Sequence, residues 1–539
     1  MEGGRTVAKT YAVAVPLLLF WLVGWIVFSW GAMQDDALIH LRYADNLAVH
    51  HFITYDGVHA NYGASSLLYV SALALLRRVT SSPELPHAAS SVMHLLLFGW
   101  LTALFARIGR GSEMAGKAGL VLLLLLSTPS AVRWLDDGME TVVVTGLVSL
   151  LAWLLHTERY DRRSSWPRYE LMVLLSFLAV LLRIELSLLC AAGFFILVMA
   201  RVADTRNWWE TRGVFLGRLI DAVMRSAHLL IGCGLSLGLI YKTMHALLPD
   251  TALAKSHGIG FWFNPLQDTA STLSSALSFG LGTCCFWLLM LALTIRRDGK
   301  IKPETAIANG LFPVLLLSSV VRGQEIQGVR YFAWTFLFPI VWNILELARA
   351  DRDQTDFQLR RTLSGAVQRR LNVALVYGFL GCIALMLPME AVMMHNVLLH
   401  RQETLHIFES QRLEVLKMRR GIASDIGYIG YFTQADICDL AGLVNGREAS
   451  RMESAERARA CVQKDADFIF VNISQLMPLT RMIDLTGWAV CGRYEFTNLK
   501  RPDIHYLLVR PEMKRVACAA ASHLPEPIES ILPARAGGV

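Results

Sequence analysis

The sequence predicts an α-helical polytopic membrane protein that ends in a small α/β unit. Three observations carry this expectation. The 539-residue chain is 54% hydrophobic and only 18% charged, where a soluble protein holds about a quarter charged residues. Apolar runs long enough to cross about 30 Å of hydrocarbon recur through residues 1–393. Beyond residue 393 the pattern changes to short, mixed helix and strand periods.

About eleven transmembrane helices are expected, near 11–30, 88–106, 118–132, 139–156, 170–182, 186–200, 226–248, 272–294, 305–321, 331–348 and 372–393. The first follows Arg5 and Lys9 as a signal peptide would, yet no small-residue cleavage site precedes Met33, so it reads as a retained span. The runs at 170–182 and 186–200 meet around Arg183 and Glu185 and read as a tight hairpin or one interrupted unit. Lys and Arg concentrate in 1–10, 107–117, 157–169, 201–225, 296–303 and 349–371. By the positive-inside rule those segments and the N-terminus are cytoplasmic. Residues 31–87 and the tail 394–539 then lie outside. The net charge of +7 follows from this asymmetry and gives no reason to invoke nucleic acid.

The first outer loop, 31–87, is too long and too patterned for a plain connection. Residues 36–48 have helical spacing. Ser65–Leu76 is apolar but too short to span, so it reads as an interfacial helix, with Arg77 and Arg78 oddly placed on the outer side. In the tail, 404–418 and 448–462 read as helices, Gly421–Phe432 as a strand and turn, Phe468–Val471 as a strand, and 488–496 with 504–510 as paired strands. Cys438, Cys461, Cys491 and Cys518 fall there. Two disulfides in any of three pairings, or four buried thiols, are both compatible with their number.

The unusual polar residues gather at one membrane boundary. Asp35 and Asp36 follow the first span, where a carboxylate is costly without a partner or a task. Arg133, Asp136, Asp137 and Glu140 lie at the same depth, as do Arg183, Glu185, Lys255, His257 and Arg330. Cations at an interface can hold a lipid phosphate, and a carboxylate can take a proton from a hydroxyl. The combination points to chemistry on a phosphorylated lipid. Plainer readings stand beside it: helix caps for the acids, a structural ion pair for Arg183 with Glu185, headgroup contact for Lys255 and His257, and interfacial anchoring for Trp30, Trp134 and Tyr331. No Cys or His spacing suggests a metal. Asp36 with Asp137 or Glu140 can at most hold one divalent cation.

Several segments resemble the GT-C superfamily of integral-membrane glycosyltransferases, in particular the terminal β-arabinofuranosyltransferases of mycobacterial cell-wall assembly and their bacterial relatives. They are Asp35-Asp36-Ala37 through Asp45-Asn46, Asn61-Tyr62-Gly63 through Leu67, Gly138-Met139-Glu140-Thr141, Arg183-Ile184-Glu185-Leu186, Leu248 through Lys255, Gly328-Val329-Arg330-Tyr331, and Asp425 through Tyr431. The resemblance implies a GT-C-like membrane domain over 1–393, an extracytoplasmic α/β domain over 394–539, and inverting transfer of a sugar, arabinofuranose among the candidates, from a polyprenyl-phosphate donor. The acceptor would be a glycan, lipid or protein of the cell envelope. It implies Asp35 or Asp36 as catalytic base, with Lys255, Arg330 and Arg183 near the donor phosphate. Arg42, Tyr43, Asn46, Tyr62, Glu140 and His257 would position substrates. Where this chain has Arg183-Ile184-Glu185-Leu186 the family often has Arg-Pro-Asp-Gly, and the acid usual before the second motif is absent near Ala60-Asn61. An undecaprenyl-diphosphate glycan ligase or polymerase, or a lipid-linked sugar transporter, are the alternative readings.

Overall fold

The computed structural model describes residues 2–160, 166–203, 212–256, 283, 285–296, 301–322, 333–354, 419–463, 465–498, 501–520 and 526–527. The expected span at 372–393, the expected helix at 404–418, and His257 and Arg330 lie outside them, as does most of 272–294. Helices dominate the first part of the chain. They are α1 (Glu2–Phe28), α2 (Asp35–His50), α3 (Leu67–Leu76), α4 (Leu85–Gly109), α5 (Glu113–Leu126), α6 (Pro129–Leu135) and α7 (Thr141–Tyr160). There follow α8 (Trp166–Leu182), α9 (Leu186–Ala203), α10 (Arg212–Ser226), α11 (His228–Met244) and α12 (Asp250–Ser256). The last three are α13 (Cys285–Arg296), α14 (Pro303–Arg322) and α15 (Ala333–Gln354).

Among the described residues three helices are each long and apolar enough to cross a membrane, within α1, α4 and α7, and two bent pairs reach that length together. One bent pair corrects the sequence reading. The run at 118–132 is two helices, α5 and α6, meeting at 69°. The cause is local: Pro129 opens α6 without an N–H to donate, and the Thr128 hydroxyl caps it by accepting from the Ala131 amide at 3.3 Å. The second pair, α10 and α11, bends by 49°. The runs at 170–182 and 186–200 are two helices, α8 and α9, joined through Arg183, Ile184 and Glu185.

In the first loop α2 and α3 form as the spacing predicts, and α3 is only ten residues long. Arg77, oddly placed by charge, is neutralised there. Its guanidinium pairs with the Asp45 carboxylate and reaches the Tyr431 hydroxyl at 3.3 Å.

Among the described residues the tail carries a six-stranded sheet in the order β2-β1-β3-β5-β4-β6. The strands are β1 (Arg420–Ala423), β2 (Asp436–Asp439), β3 (Phe468–Asn472), β4 (Ala489–Asn498), β5 (Arg501–Val509) and β6 (Glu526–Pro527). β1 runs parallel to β2 and β3, and the remaining pairs are antiparallel. The run Phe-Ile-Phe-Val of β3 is buried throughout, as a central strand covered on both faces requires. Disulfides join Cys438 to Cys461 and Cys491 to Cys518. Two elements differ from expectation: the segment after β1 is a helix, Ile426–Thr433, and 448–462 is broken into Arg447–Arg451 and Ser454–Val462.

Candidate functional site

The helix Ile426–Thr433 lies along α2, and the contact defines the site. Asp35, at the first position of α2, accepts hydrogen bonds from the Gly427 and Tyr428 amides at 2.8 and 2.9 Å. Those amides belong to the first turn of the tail helix, which has no intrahelical partner for them. Two turns on, Arg42 donates to the Gly430 and Ala435 carbonyls at 2.6 and 2.8 Å, and to the Tyr55 carbonyl at 2.9 Å. Seven residues of α2 rise about 10 Å, close to the length of an eight-residue helix. A carboxylate therefore meets the positive end of the tail helix and a guanidinium its negative end. Close approach requires glycine: a Cβ at Gly427 would overlap the Asp35 carbonyl, and one at Gly430 would overlap the Tyr55 hydroxyl. The Tyr55 hydroxyl donates to the Ile426 carbonyl at 2.8 Å, and the Tyr428 hydroxyl to the Met33 carbonyl at 3.1 Å.

Asp35 sits among like charges. Burial and the neighbouring Asp425 carboxylate push it up to about 8, against the pull of the two amide bonds. Asp36, half-buried and one residue along α2, adds to that field.

The membrane helices meet the same helix α2 from below. The Gln34 amide donates to the Asp137 carbonyl at 2.9 Å, and Gly138, at φ +83°, packs against Ala37. Glu140, wholly buried, accepts from Arg183 Nε at 2.7 Å, and His40 of α2 lies 3.7 Å from its other oxygen. Arg183 is itself buried and also donates to Glu185 at 2.9 Å. Asp136 pairs with the buried His94 at 2.9 Å. On the far side of the loop Asp250 accepts from the Tyr62 amide at 3.1 Å and donates its own amide to the Tyr62 carbonyl at 2.7 Å, with Arg447 at 3.9 Å. Of the groups expected at one boundary, those from 35–36, 136–140 and 183–185 thus lie at or beside α2, and the tail helix meets them there.

The individual placements differ from expectation in character. Arg42, Tyr43 and Asn46 engage protein groups: Tyr43 pairs with Asn61, and Asn46 donates to the Thr54 and Tyr55 carbonyls at 3.2 and 2.8 Å. Arg183 faces carboxylates. Lys255 lies on α12, with its side chain outside the described residues. Among the described residues no group of three or more His, Cys, Asp or Glu side chains is arranged to hold a metal ion.

Sequence reasoning missed the Asp425–His505 pair, 2.5 Å apart, whose members are 80 residues distant in the chain. It also missed an ion network at the opposite end of α7, about 30 Å from Glu140. There His156 and Lys302 each lie 3.2 Å from Glu346, Arg159 pairs with Glu304 and Glu346, and Glu158 meets Arg201 at 2.8 Å and His228 at 3.3 Å.

No family model matches the chain, and no curated protein matches it. Among solved structures, apo ArnT from Cupriavidus metallidurans aligns with a TM-score of 0.53 at 12% identity, over 93% of this chain and 98% of ArnT. The chain shares the ArnT fold. The likeness is one of fold alone and adds nothing to the likeness to arabinofuranosyltransferases. ArnT bound to undecaprenyl phosphate aligns at 0.49 and 13% identity, over 92% of this chain and 97% of ArnT. The oligosaccharyltransferase AglB from Archaeoglobus fulgidus, in complex with an inhibitory peptide and a dolichol-phosphate, aligns at 0.42 and 12% identity, over 90% of this chain and 74% of AglB.

Proposed function

We propose that this chain is an inverting glycosyltransferase that moves a sugar from a polyprenyl-phosphate donor to a hydroxyl of a cell-envelope acceptor. The observation that carries the reading is the convergence of the 136–141 turn, Glu140 with Arg183, and the tail helix on α2, whose first two residues are Asp35 and Asp36. The ArnT fold supports it, and ArnT is known with undecaprenyl phosphate bound.

Of the two aspartates we assign Asp36 as base. Asp35 commits both oxygens to the amides of Gly427 and Tyr428. The Asp36 carboxylate takes the acceptor proton as the oxygen attacks the anomeric carbon, and the bond to the lipid phosphate breaks on the opposite face. Lys255 and Arg330 are assigned to the leaving phosphate, whose developing charge needs cations. Arg183 is assigned to hold Glu140, which positions a substrate hydroxyl. No step is routed through a metal; loss of transfer on chelation would instead assign a divalent cation to Asp36 with Asp137 or Glu140. Two disulfides in the tail and the basic loops on the other side support a bacterial plasma-membrane protein with an inner N-terminus and an extracytoplasmic tail.

The test uses the full chain in proteoliposomes with one labelled polyprenyl-phosphate sugar at a time, arabinofuranose included, and cell-envelope glycan as acceptor. Transfer of label with release of polyprenyl phosphate is expected for one donor. Absence of lipid release across the donor panel refutes the reading.

A further inference from the structure

The tail sheet has a topological switch point that faces α2. β1 lies between β2 and β3, so the chain leaves β1 toward one side and returns to β3 on the other. In open α/β sheets ligands bind in the crevice outside the carboxyl ends of the strands at such a point. Here that edge holds Ser424 and Asp425 after β1, Asn472 at the end of β3, and His505 of β5, which stands opposite Asn472 in the ladder. The Asp35 carboxylate already reaches into the same place, on the Gly427 and Tyr428 amides.

The two members of the Asp425–His505 pair have different surroundings. The imidazole is 4% exposed and stacks on Phe470 at 5.4 Å, whereas the Asp425 side chain is 54% exposed. A buried ring thus fixes the orientation of a carboxylate that remains open to a ligand. Beside it the Ser424 hydroxyl is buried, with no hydrogen-bond partner among the described residues. Asp425 is near enough to Asp35 to raise its proton affinity, so the crevice opens beside the Asp35-Asp36 pair.

We propose that Asp425 is an acceptor-binding residue, positioned by His505, that receives a hydroxyl of a neutral polyhydroxylated glycan. This rests on the glycosyltransferase reading. Charge decides which substrate the crevice takes: the neighbouring Asp36 and Asp425 carboxylates repel a lipid phosphate. Carboxylates only accept hydrogen bonds, so the ligand must bring the donors, as a row of sugar hydroxyls does. The donor phosphate then belongs at the other end of the site, toward α12.

The experiment uses the full chain in nanodiscs and arabinan, mannan and galactan oligosaccharides as probes, with binding read from the shift in unfolding temperature. One probe should stabilise the wild type, and Asp425→Asn should weaken its apparent Kd about tenfold or more, the effect of losing a hydrogen bond to a charged group. His505→Gln should weaken it likewise, and the double variant no more than Asp425→Asn alone, because His505 acts through Asp425. Equal affinity in wild type and Asp425→Asn, or no probe bound by the wild type, overturns the proposal. In the transfer assay Asp425→Asn should raise the acceptor KM and leave the donor KM unchanged. Transfer with an unaltered acceptor KM sinks this assignment and leaves the glycosyltransferase reading standing. Probe binding through Asp425 with no lipid release from any donor does the reverse.

Discussion

Arg42→Met tests how the tail is held on the membrane bundle. The Arg42 guanidinium is buried, at 2% exposure, and lies 4.2 Å from the Tyr55 ring while bonding three carbonyls. A hydrogen bond to a charged group contributes about 1.5–3 kcal/mol. Two of the three carbonyls, Gly430 and Ala435, belong to the tail; even at the lower value, losing both bonds costs about 3 kcal/mol, and the buried carbonyls left behind add to that. At 1.4 kcal/mol per factor of ten, the equilibrium between docked and undocked tail helix shifts by about a hundredfold. Hydrogen exchange of the 427–433 amides reads this directly. The account expects their protection to fall by about that factor while β1, β3 and β5 keep theirs, since the sheet has its own core around Ile422, Ile469 and Leu508. Arg42→Lys, which keeps the charge and loses the fork, should fall between the two. Unchanged exchange in Arg42→Met would refute the docking argument.

Two further outcomes follow from charges in and beside the site. Because Asp35 is held near 8 when folded and near 4 when unfolded, the folded chain binds an extra proton between those values. Stability of the docked tail should therefore rise as pH falls from about 8 to about 4 and level off below, and Asp425→Asn should flatten the slope; pH-dependent thermal unfolding is the check. Glu140→Ala removes a buried carboxylate from the buried Arg183 guanidinium and should destabilise by about 3–5 kcal/mol, with the Glu140→Ala/Arg183→Leu double variant recovering part of the loss in chemical denaturation.

Some of this was legible in the sequence and some was not, for physical reasons. The helix α2 could be read from its spacing, and the cost of two carboxylates beside a span marked Asp35 and Asp36. Glu140 and Arg183 were marked by the same reasoning, although their mutual pairing was not. The helix Ile426–Thr433 reads as a turn because Gly427 and Gly430 weaken a helix and Ile426 and Ile429 favour a strand. It forms because α2 caps both its ends, across more than 380 residues of chain. Arg42, Tyr43 and Asn46 look like substrate contacts because polar groups on an amphipathic helix have no evident task. Their partners are backbone carbonyls and one amide side chain that only the tertiary fold supplies. The α5–α6 break was signalled by Ser127-Thr128-Pro129, but continuous hydropathy on either side masked it. His505 carried no signal, being one histidine in a strand.

The most direct test of the central claim is turnover by Asp36→Asn with the polyprenyl-phosphate donor and its acceptor. Removal of a general base should lower kcat by about 10²–10⁴-fold, while the donor KM and the unfolding temperature stay at wild-type values. Turnover at the wild-type rate in that variant would contradict the account.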